Sequence, residues 1–481
     1  MSSRSLETGG MADDMEYRRS NRTVFGYCLV VALGAMLFGI DQGETTGFLA
    51  MPKLLPLKFL KDFGYYDDNL GAYNMTAQRQ TLLYGATLGC TVIACIISGP
   101  IGARYGRRAG LALCALTSIV GPSIQAGAKN VPAMVVGRAI AGFGIGFAAN
   151  FVITYWSEAT PVELRGLIVV MYQGFINLAQ FIGAAINEGT HGMTTRWAYR
   201  APLLTELPAP LLMLAFLPFI PHTPRWFVSR GRIDEGHDAL RTLRGNTFPE
   251  EEIEKELREI AAFDEIEREL EASSSFFDCF KGTDHRRTRI VIMVLVCQQF
   301  TGISFITAYG TYFFTLSGIN NAFVITVITS VCGIAGSALA FPIIKYFGRR
   351  PILIVGAAVS AISMMTFAIV GVAAPNSTAA AKCLVAFTCL NSYANLGTKV
   401  GFIFGGCTIL TFFWTLFFLP ETKGRTLEQI DEMFLNKVPT LKFKDYVCTG
   451  HAGHLSVEDQ LEKMEMKGVV TEMIEHVGTR N

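Results

Sequence analysis

The chain has 481 residues, of which 51% are hydrophobic and 17% charged, where an ordinary soluble domain carries roughly a quarter of charged residues. Its 41 Lys and Arg against 40 Asp and Glu leave a formal net charge of +1, so there is no basic field for nucleic acid and no acidic excess of the kind that keeps a chain disordered. The solvent such a composition calls for is lipid.

The elements confirm this in order. Residues 1–23 show no short apolar core with a small-residue cleavage site, and read as a flexible cytosolic tail. A bilayer core needs about 20 apolar residues per helix. Runs of that kind occupy Val24–Leu49, Thr81–Ala103, Gly110–Gly127, Val131–Ile153, Leu167–Ala185 and Pro202–Ile220, a six-helix bundle over 24–220. Of the 81 charged residues, 28 then fall between Arg225 and Arg289. This stretch, within 221–289, reads as a cytosolic helical loop. In it Thr247, Pro249 and Glu250 have the spacing of a helix start. Four more runs follow, Ile290–Phe314, Ala322–Ile344, Ile352–Ala373 and Gly401–Leu419, giving a second bundle over 290–419 and a cytosolic tail over 420–481. The fold class is therefore all-α, a polytopic membrane protein of ten spans.

Positive charge sets the orientation. Arg104, Arg107 and Arg108 follow the second span, Lys345, Arg349 and Arg350 the eighth, and the loop Arg225–Arg289 the sixth, which puts these exits and both termini in the cytosol. The sequons Asn74-Met75-Thr76 and Asn376-Ser377-Thr378 then lie outside. GPIGARYGRR (Gly99–Arg108) and FPIIKYFGRR (Phe341–Arg350) stand at equivalent places in the two halves, as expected of a transporter built from repeats that rock about a central site. Each Gly-Arg-Arg gives a tight turn and two guanidinium groups for carboxylates or helix C-termini.

With these, the chain resembles the sugar porter family of the major facilitator superfamily, of the fungal hexose/proton type. The resemblance rests also on FGIDQG (Phe38–Gly43), GRAIAGFGIG (Gly137–Gly146), SEATPVELRG (Ser157–Gly166), HTPRW (His222–Trp226), QQFTGIS (Gln298–Ser304) and PETKGRTLEQIDEMF (Pro420–Phe434). It implies a plasma-membrane carrier for a hexose, pentose or polyol, working by alternating access, often with a proton. Its partners would be a small-molecule sugar, a proton and the bilayer, with no nucleic acid and no cofactor. The alternative is a sugar sensor that binds without transporting, or an inactive truncated form.

Three departures stand out. The acid expected three residues before Gly106 is Ala103, and its counterpart before Gly348 is Lys345. The expected Pro-Glu-Ser-Pro-Arg motif carries His222 in place of glutamate. After the ninth span, the apolar piece Cys383–Leu390 is too short to cross a bilayer, so two spans of the second bundle and their loops, roughly 60 residues, have no counterpart.

Asp41 lies well inside the first apolar run, where an ionisable group is costly unless it is paired or takes up a proton. It is the candidate for proton coupling, and the resemblance implies Arg138 as its partner, released when the aspartate is protonated. A static structural ion pair is the bland alternative. Glu44 and Glu206 compete weakly for the same role. Sugar recognition needs amides and hydroxyls against an aromatic or aliphatic wall. Gln173, Gln298 and Gln299 match the family's sugar ligands, Phe38, Ile176 and Tyr309 its wall, and Ser304 stands where the family has asparagine. Arg107, Glu158 and Arg165 would form a cytosolic gate, with Arg349 in the mirrored place.

Other signals deflate. Gly142-Phe143-Gly144-Ile145-Gly146 follows no strand and sits in a lipid-length run, so it reads as close helix packing rather than a phosphate loop. His451 and His454 read as solvated. Cys28, Cys90, Cys95, Cys114, Cys297, Cys332 and Cys407 lie in apolar runs without a CxxC pair and read as small packing residues.

Overall fold

Lipid offers no partner for a backbone N–H or C=O, so a chain of this composition satisfies its backbone within helices. The structure, a computed structural model, shows this. It describes residues 3–50, 65–67, 72–74, 76–160, 162–193, 195–245, 249–273, 280–301, 311, 322–347, 349–373, 398–420, and in the tail 433–434, 436, 438–443 and 446. Two units divide it, Met1–Asp264 and Glu265–Asn481.

In the first unit, α1 (Ser3–Ala50) contains the first span and begins far earlier than it, so the backbone of the expected flexible tail is helical from Ser3. A short antiparallel hairpin, β1 (Tyr65–Asp67) on β2 (Ala72–Asn74), follows α1 and interrupts the otherwise helical architecture of the described residues. Thr76 then caps α2 (Ala77–Gly127) by accepting from the Arg79 N–H at 3.4 Å. This helix joins the second and third spans, and its one non-helical residue is Gly106, at φ +84° and ψ 164°. A side chain there would be strained by the positive φ and would press on the rings of His222 and Trp226, so the turn between the two spans needs glycine.

Asn130 caps α3 (Val131–Ala159) through the Ala133 N–H. This helix packs along α2. A Cβ at Gly142 would collide with the Thr87 carbonyl, and the Thr91 hydroxyl donates to Gly142 O at 3.0 Å. The GFGIG segment is thus a helix contact, as its setting in the sequence implied. Gly142→Leu should overpack this contact at a cost of about 1–3 kcal/mol or more. The check is surface abundance of a tagged chain, which should fall severalfold while Gly174→Leu, where a Cβ meets nothing within 4 Å, changes it little.

The next helix, α4 (Val162–Thr190), lies along α1. The sixth span, expected as one run, is a single helical stretch over Trp197–Phe219, made of α5 (Trp197–Thr205), α6 (Pro208–Phe216) and a 3-10 turn at Leu217–Phe219, with helical dihedral angles kept at Glu206 (φ −69°, ψ −25°) and Leu207 (φ −69°, ψ −36°). Pro208 and Pro210 supply no N–H, so the ladder lapses at Glu206–Leu207, where the Leu207 N–H reaches Leu204 O at 3.2 Å instead. The core beneath these helices includes Val31, Ala35, Leu111, Phe151, Tyr155, Trp156 and Met213.

After the sixth span come α7 (Pro224–Val228), α8 (Ile233–Arg244) and α9 (Glu250–Ser273). The last begins directly after Pro249, while Thr247, the expected cap, lies outside the described residues. Buried Arg244 ties this layer down: it grips Glu256 with Nε (2.9 Å) and Nη2, and donates to Ala159 O at 3.2 Å, at the end of α3.

In the second unit, α10 (Gly282–Phe300) starts eight residues before the expected span. It is followed by α11 (Ala322–Phe347), α12 (Arg349–Ala373) and α13 (Thr398–Phe418). Arg350 donates to Leu416 O at 2.7 Å, so the second Gly-Arg-Arg supplies a positive charge to the C-terminal end of α13. Met433, Phe434, Val438 and Phe443 form a small cluster beneath Arg286, which lies 5.3 Å from the Phe434 ring centre and donates to Val438 O. Among the described residues, five helices are long and apolar enough to cross a membrane, one of them the double-length α2. All seven cysteines of the apolar runs are free thiols. His451, His454, Asn376 and the stretch Cys383–Leu390 lie outside the described residues.

Candidate functional site

An aspartate and an arginine in two apolar helices are tolerable inside lipid when they meet. They do: Arg138 on α3 donates through Nη1 to Asp41 Oδ1 on α1, and through Nη2 to Thr45 Oγ1, one turn along α1. Asp41 is 7% exposed and Arg138 4%. Removing one partner of such a pair strands the other, at about 3–5 kcal/mol.

The surroundings hold more polar chemistry than the sequence reading assigned. Glu44 is fully buried and accepts from the Thr205 hydroxyl at 2.8 Å. The carboxyl of Glu206, between α5 and α6, lies beside it. Asn187 on α4 donates to Gly43 O and Glu44 O, both at 3.0 Å, and Gln180 donates to Gln42 Oε1 at 2.6 Å, so amides fasten α4 to α1 around the ion pair. Thr45 and Asn187 carried no charge to mark them. Asn187 also lies just beyond Ala185, where the apolar run of the fifth span ends.

Of the candidate sugar ligands, Gln173 is exposed on α4 and donates to Asn177 Oδ1 at 3.1 Å. Ile176 is buried in the first unit's core, and Phe38 packs half-buried against that core. Gln298 and Gln299 are exposed on the last turn of α10 in the second unit. Ser304 and Tyr309 lie outside the described residues.

At the turn between the second and third spans Arg107 grips Glu158 at 2.7 Å through Nη2 and 3.1 Å through Nε, while its Nη1 holds Gly102 O at 3.0 Å. The end of α3 is thereby fastened to the turn at Gly106. The backbone of Arg165 begins α4 and that of Arg349 begins α12, but the side chains of both lie outside the described residues. At Ala103, where an acid was expected, the main chain serves: Trp226 Nε1 donates to its carbonyl at 3.2 Å and Arg230 Nη2 at 3.0 Å.

His222 stacks on Trp226, with ring centres 5.0 Å apart. Burial, then Arg108 and Arg232, hold its imidazole below histidine's ordinary range, against a weaker pull from Glu235. A folded-state value below the unfolded one means that the neutral ring contributes stability above about pH 6.5, lost as pH falls through the lower folded value. The thermal midpoint of the purified chain should therefore drop more between pH 7 and 5 than that of His222→Phe. Equal drops would remove His222 from the acid response.

Comparison with known proteins accords with this architecture. The family model described as "Sugar (and other) transporter" matches residues 27–394 and 390–434, two stretches that meet at 390–394. The low-affinity glucose transporter HXT3 of Saccharomyces cerevisiae is 29% identical, over 90% of this chain and 85% of its own. That alignment runs over 492 positions and engages about 433 of the 481 residues here, so about 59 positions of the relative face a gap. The high glucose sensor RGT2 of the same yeast is 28% identical over 84% of this chain, which spans 60% of the sensor's length. Among solved structures, the proton:xylose symporter XylE of E. coli, bound to 6-bromo-6-deoxy-D-glucose, matches with a TM-score of 0.65 at 23% identity, over 86% of this chain and 100% of that one. With the family model covering most of its length, the chain belongs to the sugar transporter family and is a polytopic helical membrane protein of major facilitator fold.

Proposed function

We propose that this chain carries a monosaccharide, whether hexose, pentose or polyol, across the plasma membrane with a proton, by alternating access and with both termini in the cytosol. The observation that carries the reading is the buried Asp41–Arg138 pair. A proton taken up by Asp41 neutralises the carboxylate and frees the guanidinium, so occupancy by a proton and the arrangement of α1 against α3 become one equilibrium. Arg107 and Glu158 act as a cytosolic gate, holding α3 to the turn at Gly106 in one state and releasing it in the other. Gln173, Gln298 and Gln299 serve the sugar hydroxyls. Membership of the family and its hexose-carrying and xylose-carrying relatives support the substrate class.

A second reading has its own support. The family match breaks at 390–394, beside the stretch too short to span, and the gaps against HXT3 are about the size of two spans with their loops. We read the second bundle as lacking that helix pair, which makes a sugar-binding chain that does not transport the competing account. A relative that is a glucose sensor lends it weight.

Radiolabelled sugar uptake in a yeast strain without hexose carriers separates the two. Uptake abolished by a proton uncoupler is expected of a ten-span symporter. No uptake despite surface expression supports the non-transporting form.

A further inference from the structure

One guanidinium serves two carboxyl groups in the first unit, Asp41 and Glu206, and a third, Glu44, lies beside Glu206. Arg138 is engaged by Asp41 and Thr45 on α1, with Tyr84 of α2 and Glu206 also turned toward it. Glu44 receives one hydrogen bond, from Thr205 on α5, and the Asn187 amide on α4 is taken by the backbone carbonyls of Gly43 and Glu44. Glu44 Oε2 is fully buried, and among the described residues no N–H or O–H reaches it. What lies beside Glu44 is the carboxyl of Glu206, itself 5% exposed and placed between α5 and α6. Two oxygens that only accept can face one another inside a bilayer when a hydrogen sits between them.

We propose that Glu44 and Glu206 together bind one proton, at a site separate from the Asp41–Arg138 pair, and deliver it to Asp41 when Arg138 turns away. The bookkeeping closes: the O–H of the glutamate pair breaks, an O–H forms on Asp41, and the guanidinium charge passes from Asp41 toward Glu206. Net charge in the cluster is unchanged. The delivery step rests on the symport reading, whereas binding of the proton does not.

Infrared spectroscopy of the full chain reconstituted in lipid reads the site without transport. At neutral pH the wild type should show the C=O stretch of a protonated carboxylic acid. The band should persist in Asp41→Asn and disappear in Glu44→Gln and in Glu206→Gln. Its absence from the wild type, or its survival in both glutamine variants, overturns the proposal. Where uphill uptake is measurable, Glu44→Gln should need about tenfold more protons for half-maximal accumulation, the equivalent of one pK unit. An unchanged requirement overturns the delivery step. Failure of the symport reading looks different, since sugar would then enter without protons while the carboxyl band behaves as described.

Discussion

Cells carrying Asp41→Asn should take up sugar only to equilibrium, losing at least tenfold of the accumulation that the wild type sustains against a gradient. Asparagine keeps the shape of the side chain and can still accept from Arg138, so the helix contact is largely retained. What it cannot do is alternate between charged and neutral. An ion pair that breaks on protonation links the proton gradient to the conformational equilibrium, and a fixed neutral partner severs that link. Accumulation by the variant equal to that of the wild type, at equal surface abundance, would make the Asp41–Arg138 pair a structural fastener.

The second large effect is expected at the pair we propose as a cytosolic gate. Arg107→Glu places two acids where Arg107 and Glu158 now meet at 2.7 Å, with Glu158 only 10% exposed at its side chain. Like charges at that depth cost several kcal/mol. If the pair biases the two states of the carrier by about 1–3 kcal/mol, as coupling interactions commonly do, uptake should fall roughly 5- to 150-fold. Glu158→Arg should fail likewise. The double variant restores opposite charges with their places exchanged, and should recover a large part of the loss. A rate for the double variant equal to the product of the two single losses would show that the residues act independently.

The sequence exposed what depends on composition and local pattern. Charge is so rare in these apolar runs that Asp41 drew attention unaided, with the resemblance supplying Arg138 as its partner, and GFGIG within a lipid-length run already read as helix packing. The paired Gly-Arg-Arg turns marked the cytosolic ends, and the structure adds that Arg350 reaches the end of α13 where Arg107 reaches Glu158. What depends on tertiary approach was out of reach. Glu44 looked like a lesser copy of Asp41 because nothing in the chain shows Thr205 and Glu206 arriving beside it from the sixth span. The prolines at 208 and 210 were visible, but not the shift of the Leu207 N–H to Leu204 O that answers their missing donors. Arg244 and Glu256 are 12 residues apart across a loop, too far for a helical spacing rule, and only the fold makes them a pair. The substitution at Ala103 looked like a lost contact, yet its carbonyl, which every residue has, is what Trp226 and Arg230 hold.

Proton movement driven by sugar is the most direct test of the account. The purified chain would be reconstituted in vesicles without a pH gradient, and a panel of hexoses, pentoses and polyols added outside while the external pH is followed. The account predicts that at least one sugar alkalinises the medium as it enters, and that Asp41→Asn abolishes the alkalinisation. Entry of sugar with no accompanying proton would contradict it.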